Sequence, residues 1–396
     1  MKKVLFIIVV LLASFTSCEL DNYDAPNAKI HGKVIDSATG EAIQQEILEG
    51  ARIDYIELGD FENPPTQQMR FKTDGTYRND LMFSGRYHIQ ARRGNFFILP
   101  PDTIEVKGET EYNFVTEPYI RIKNVSYSIV GRDVVASFQI EQVADNPVKS
   151  IAIFADLNPN VSQSLRKVAN IAEINTMVDP DKVFNLKLKI DPLKEIKPDG
   201  KPTFYFRVGA LISGIAEAKY NYSEPEAIEI DYDSLPPEEP DIVGNVIDNC
   251  ESLSGWGAGG FTLSLDTDSK EGNFSIKSEG QGVVIYQKVF QPFNTGVTRE
   301  EGTFAMYLYV LDTSPMQPGD ANIEITSSGR PDVAELAWRI GEDVELNNGW
   351  NKLELKLKDA RVTGGNIDLS AVNFIRIYHT NITAPMVFKI DFIRFY

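Results

Sequence analysis

The sequence predicts an all-β chain, in which a short leader precedes three β-sandwich modules. Apolar and polar residues alternate with a period of two through most of the chain beyond residue 27. Turn residues punctuate that alternation about every ten residues, the spacing of short antiparallel strands. Helical spacing is confined to one stretch, Val161 to Met177, where Val161, Leu165, Val168, Ile171 and Ile174 suit one short helix or a packed loop.

The chain has 396 residues, enough for two to four domains. Lys plus Arg is 39 and Asp plus Glu is 57, a net charge of −18. So acidic a chain is a poor partner for nucleic acid or for an anionic membrane surface. Two cysteines exclude a disulfide framework, and three histidines leave little room for a multi-histidine metal site.

The leader begins with Lys2 and Lys3 and continues as an apolar run, Val4 to Ala13. That run is too short to span a bilayer and has the layout of a secretory signal. Ser17-Cys18, followed by Glu19, Asp21 and Asp24, resembles the signal of Bacteroidota surface lipoproteins. The resemblance implies cleavage after residue 17, lipidation of Cys18, and attachment to the outer membrane at the cell surface by lipid anchor alone. Cys250 is then the remaining thiol. It reads as a small buried hydrophobe, with a reactive nucleophile as the alternative.

After a tether over residues 18–27, the first module covers 28–117. Ala28 to Asp36 and Arg52 to Leu58 alternate, Thr73-Asp74-Gly75-Thr76 reads as a hairpin-type turn, and Gly85 opens another strand. The segments GKVIDSATGEAI, FKTDGTY and SGRYHIQARRGNF resemble a transthyretin-like, carboxypeptidase-regulatory-type sandwich. More closely, they are similar to the first domain of a Bacteroidota lipoprotein family of uncharacterised function found among glycan-utilisation genes. Such domains are usually spacers.

The second module, 118–233, opens with two strands around Gly131-Arg132-Asp133 and resembles a fibronectin-III or immunoglobulin-like sandwich. Residues 234–241 form a proline-rich acidic linker, in which three prolines exclude helix or strand interiors and favour a stiff, extended spacer.

The third module, 242–396, alternates most clearly. Phe304, Met306, Leu308 and Val310 share one strand face; Ile323 with Ile325, Leu336 with Trp338, and Leu353 with Leu355 do the same. The pattern calls for antiparallel sheets with one packed and one solvated face. IDNCESLSGW, SKEGNFSIKSEG, NNGWNKLELKL and FKIDFIRFY resemble a galactose-binding-like, carbohydrate-binding jelly roll, with Cys250 standing where an aromatic is usual.

Two sites follow from that module. The resemblance implies one structural calcium held by Glu251, by carbonyls of the Ser269–Asn273 loop including Asn273, and by Asp391. The alternative for Asp391 is a solvated place on the sheet's outer face. The second site is a sugar platform, since aromatic rings cover the apolar faces of a pyranose while charged or amide groups bond its hydroxyls. Tyr307, Tyr309, Arg339, Arg376 and Tyr378 are expected on one solvated surface, joined by Asn322 and Glu324. Trp256, Arg330 and Asp332 are expected at its edge. Trp338 is placed in the core, and Trp350 is open.

The chain contains no nucleophile elbow, phosphate loop or zinc helix motif. The layout of the whole chain resembles that of starch-utilisation-type surface glycan-binding lipoproteins, which implies a non-catalytic lipoprotein that captures a polysaccharide or oligosaccharide for an outer-membrane transporter complex. Two alternatives stay open: a structural or interaction protein that binds another outer-membrane or host protein, and a glycoside hydrolase with an unrecognised carboxylate pair.

Overall fold

The computed structural model describes residues 25–59, 62–237 and 244–396. Cys18, the leader, most of the tether and residues 238–241 of the linker lie outside the described residues. The described chain is an all-β protein whose strands form three pairs of packed sheets.

In the first pair, Ala28–Asp36 lies between Thr76–Met82, which it pairs antiparallel, and the short strands Glu109–Glu111 and Phe114–Thr116, which it pairs parallel. The facing sheet runs Gln67–Arg70, Arg52–Leu58, Gly85–Arg92, Asp102–Val106. Ile30, Val34, Ile53, Tyr77, Ile89 and Phe96 fill the space between. The Thr73–Thr76 turn is not a hairpin, because the strands on its two sides belong to different sheets. It is a corner, and Gly75 is required there: its φ is +78°, and a Cβ would lie 2.5 Å from the Ile43 carbonyl oxygen.

The second pair sets Val183–Lys189, Asp133–Gln142 and Ile120–Val130 against a five-stranded sheet. That sheet contains Val168–Thr176, Val148–Asp156, Thr203–Ile212, Asn221–Tyr222 and Glu226–Glu229. The single described α-helix is short, Asp191–Ile196, with a proline in its first turn. The helix option for residues 161–177 fails. Val168–Thr176 is an edge strand on Val148–Asp156, and Val168, Ala172 and Ile174, at even offsets, pack on the core. The helical spacing arose by counting across an irregular approach into a strand.

The third pair is a jelly-roll-like sandwich of two six-stranded sheets. One sheet runs Phe261–Asp266, Ser275–Gly280, Met386–Phe395, Thr303–Val310, Gly349–Lys356, with Asn245–Asp248 also on Met386–Phe395. We call it the near sheet, because its first hairpin touches the second module. The far sheet runs Trp256–Gly257, Val284–Phe293, Val372–His379, Ala321–Thr326, Glu335–Arg339, Arg361–Thr363. Phe304, Met306 and Leu308 from the near sheet meet Ile323, Ile325, Leu336, Trp338, Ile375 and Ile377 from the far sheet. Trp338 stacks on Phe304 with ring centroids 5.6 Å apart. Cys250 is fully buried in the same core, and burial pushes its thiol well above the usual range, so it behaves as an inert hydrophobe.

The modules are locked to one another by polar contacts. Arg207, from the second module, is fully buried against the first. Its guanidinium donates to the carbonyls of Gln45 (2.9 Å), Thr73 (3.3 Å), Val161 (3.3 Å) and Ser223 (2.7 Å), and lies 4.5 Å above the Tyr222 ring. Burial lowers its pKa to about 10, so it stays charged at neutral pH. The Tyr222 hydroxyl donates to Glu46 at 2.6 Å, and Asn95 spans the same seam to the Tyr220 carbonyl. The third module is held just as directly. Phe274 packs into the second module's core, the Asn185 N–H donates to Thr267 Oγ1, and Lys187 reaches the Ser269 carbonyl. The linker therefore does not set the third module apart from the second.

Replacing Arg207 by Leu would leave several buried carbonyls without a donor, each costing about 1–3 kcal/mol. Arg207→Leu should lower the melting temperature by well over 5 °C, at roughly 2–4 °C per kcal/mol for modules of this size. Differential scanning calorimetry checks this; an unchanged transition would show that the seam is not held by this side chain.

Candidate functional site

The candidate site is built on the outer face of the far sheet. Ile323, Ile325, Ile375 and Ile377 point into the core, so alternation turns Asn322, Glu324, Arg376 and Tyr378 outward. Register then sets Glu324 opposite Arg376 and Asn322 opposite Tyr378 on neighbouring strands. Arg376 Nε donates to Glu324 Oε2 at 2.7 Å, and its guanidinium lies 4.4 Å from the Tyr378 ring centroid. Asn322 Nδ2 donates to the Tyr378 hydroxyl at 2.6 Å. On the next strand, Arg339 lies opposite Asn322 and pairs with Glu342 at 2.8 Å. Beside Arg339 opens a cleft of about 460 Å³, walled by Met316, Pro318, Leu346 and His379.

The electrostatics of this face are specific. Glu324 is 1% exposed and Glu335 is 2% exposed. Burial, reinforced by Glu335, raises the Glu324 carboxyl to about 7 despite Arg376. Glu335 is also raised, first by burial, and accepts the Asp332 N–H at 2.8 Å. Both carboxylates are therefore held beneath the surface by protein donors. What meets solvent is a ring stacked on a guanidinium, a second arginine and amides, a fixed bank of donors and acceptors suited to hydroxyls.

The five residues expected on one solvated surface do not share one. Arg339, Arg376 and Tyr378 stand together on the far sheet, with Asn322 and Glu324. Tyr307 and Tyr309 lie on the Thr303–Val310 strand of the near sheet, whose outer face looks the opposite way. Parity within a strand gives in or out, but both sheets have an "out". Trp256 is not a rim residue: it packs in the core at 9% exposure, and its Nε1–H donates to Asp248 at 3.1 Å. The near sheet carries its own aromatic ledge. The Tyr309 and Trp350 rings meet edge-on at 5.6 Å, Lys389 lies over Tyr309, and Trp350 donates to Asp268. Sequence reasoning missed Glu335, although its position one strand pair away from Glu324 was available once register was known.

Of the three residues expected to hold calcium, Glu251 and Asp391 both contact the Ser269–Asn273 loop, of which Asn273 is a part. Glu251 Oε1 accepts the N–H groups of Asn273 and Phe274 (2.8 and 3.0 Å). Asp391 Oδ2 accepts those of Lys270 (2.5 Å) and Glu271 (2.9 Å). The loop thus offers amides to both carboxylates, and its Ser269 and Gly272 carbonyls are engaged by Lys187 and by Ser269 Oγ. That departs from the expected ring of loop carbonyls. A fit to a cation remains at Asp391: it is fully buried, its Oδ1 has no hydrogen-bond partner among the described residues, and burial raises its carboxyl to about 7. Asp391 is therefore not solvated.

Folding raises the Glu324 pKa above its ordinary 4.5, so between about 4.5 and about 7 the folded chain holds a proton that the unfolded chain has released. Its contribution to stability is fullest at low pH and falls as pH rises through that window. Lowering pH from about 8 to about 5.5 should raise the melting temperature by a few degrees, and Glu324→Gln should flatten that slope. An equal slope in parent and variant, followed by calorimetry, would assign it to other groups.

Residues 28–116 match the DUF3823 N-terminal domain, described as a protein of unknown function, and residues 120–227 match the DUF3823 C-terminal domain. Among solved structures, the chain is similar to a Bacteroides uniformis protein whose name proposes carbohydrate binding, at 26% identity and TM-score 0.46, covering 52% of this chain and 100% of that one. It is also similar to a DUF3823 family protein of Parabacteroides merdae, at 24% identity and TM-score 0.45 with the same coverage. A third is the family 11 carbohydrate-binding module of Clostridium thermocellum in complex with a β-1,3-1,4-mixed-linked tetrasaccharide, at 15% identity and TM-score 0.29, covering 39% of this chain and 96% of that one. No curated protein matches the sequence. The first two modules thus match the N- and C-terminal domain models of DUF3823, and both lie ahead of the jelly-roll-like module.

Proposed function

We propose that the chain is a non-catalytic, surface-anchored glycan-binding lipoprotein that captures polysaccharide for an outer-membrane uptake system, through the far sheet of its third module. The observation that carries this reading is the Arg376–Tyr378 stack clamped by Glu324 and Asn322 on an outward sheet face. A stacked ring and a fixed guanidinium lose little freedom on binding and present both an apolar patch and hydroxyl partners. The carboxylates with raised pKa favour binding over hydrolysis, because both are buried and tied to protein donors rather than open to a glycosidic oxygen.

Affinity electrophoresis in polysaccharide gels tests it. Tyr378→Ala with Arg339→Ala should abolish retardation while the melting temperature stays within about 2 °C, since both side chains are partly exposed. Retardation that survives there but is lost in Tyr309→Ala with Trp350→Ala would move the site to the near sheet. Arg376 is a poorer probe, because its removal leaves Glu324 buried and unpaired.

We also propose a structural Ca²⁺ in this module, which Asp391 and Glu251 would hold; its charge would offset two carboxylates that are costly to bury. Chelation should then lower the melting temperature of the parent and leave Asp391→Asn unaffected. No change in the parent would leave Lys187, whose charge already favours ionised Asp391, as the neutralising group.

A further inference from the structure

The second module has a seam that its own strands leave open. Ile120–Val130 is the edge of the three-stranded sheet, and Glu226–Glu229 is an edge of the facing sheet. Between them runs a groove of about 740 Å³, lined by Val125, Tyr127, Ile129 and Ile228, with Glu224 and Glu226 at its rim. Hairpin geometry says which backbone groups face it. Val130 and Asp133 close a two-residue turn with Gly131 at φ +61°, and such turns are closed by a hydrogen-bonded pair. By alternation, Ser128 bonds back to the hairpin, while Tyr127 and Ile129 turn N–H and C=O outward to the groove. Among the described residues no other strand pairs with that edge.

Free strand edges are usually blunted by charge or by a bulge. Here Lys123 and the positive φ of Asn124 guard only the first half of the edge. The half beyond it is lined with serines and apolar residues, and Ile129 and Val130 are exposed. The opposite rim carries two exposed glutamates that form no ion pair among the described residues. Regular backbone donors and acceptors over an apolar floor suit an added strand, which a sugar cannot mimic. The acidic rim selects its charge.

We propose that this groove is a docking site for an extended peptide segment of a partner protein, one that alternates apolar and basic residues and adds as a strand to the Val125–Val130 edge. The site is independent of the glycan reading, since it lies in another module.

Fluorescence anisotropy of the full chain with two labelled peptides of about nine residues, one alternating valine and lysine and one alternating valine and glutamate, tests it. The lysine peptide should bind and the glutamate peptide should not. Ile129→Pro, which removes one outward N–H from an exposed edge position, should weaken binding at least tenfold without lowering the melting temperature. Glu224→Lys with Glu226→Lys should reverse the charge preference, which keeps the test alive if the proline variant misfolds. Tyr378→Ala with Arg339→Ala should leave peptide affinity unchanged, so failure here and failure of the glycan site are separable. Equal binding of both peptides, no binding of the lysine peptide up to about 1 mM, or its displacement by neutral tetrasaccharides of glucose or xylose would overturn the proposal.

Discussion

Two sheets packed face to face can each show solvent one side only, and those two sides look in opposite directions. The third module is organised by that constraint. Its core draws alternate residues from both sheets, and everything polar must leave by one of two faces that cannot cooperate on one small ligand. On the near sheet the outward residues include Tyr309, Lys389 and Asp391, and one end of that face is taken up by the Asp266–Ser275 loop and its contacts with the second module. The far sheet has no comparable neighbour among the contacts described. The face left free is therefore decided less by which residues are aromatic than by which sheet the second module occupies.

The Glu324–Arg376 pair shows how a wet face can still bury charge. A carboxylate that is 1% exposed is costly unless paired and hydrogen-bonded. Here the strand register supplies the partner from directly opposite, and the arginine's other side is covered by Tyr378. The pair contributes little as stability evidence in itself, because desolvation cancels much of the attraction. Its consequence is geometric: with Glu324 fixed below, the guanidinium has one orientation left, and the ring above it likewise. Positioning of that kind is what a shallow saccharide site needs, since it has no depth with which to immobilise side chains on binding.

Much of this was legible in the residues. Period-two alternation located the core positions of the Thr303–Val310, Ala321–Thr326, Glu335–Arg339 and Gly349–Lys356 strands, and it placed Trp338 inside with Leu336 although tryptophan is an attractive sugar-stacking residue. The same alternation made Tyr307 and Tyr378 look equivalent, because parity is a property of a strand and sheet membership is a property of topology. Only the pairing of Thr303–Val310 with Met386–Phe395, and of Val372–His379 with Ala321–Thr326, separates them. The Thr73–Thr76 turn failed for a related reason: its chemistry specifies a sharp reversal, not whether the reversing chain rejoins its own sheet. Trp256 failed because it lies not in a loop but in the two-residue strand Trp256–Gly257, too short to show a parity in the sequence. Its burial follows from an indole N–H that finds Asp248.

The contacts between modules bear on how such a chain would work. A flexible string of sandwiches would let the third module search a volume, and gain from effective concentration would fall with tether length. Arg207 at one seam, and Phe274 with Lys187 at the other, argue instead for modules whose faces hold a fixed relation. Breaking either seam would expose buried carbonyls or an aromatic ring, so hinge motion there is costly. With that seam closed, the open strand edge of the second module and the free face of the third are held at a constant separation. A partner strand seated on the former would then fix the orientation of the latter, which is a stricter coupling than tethering and requires no contact between the two sites.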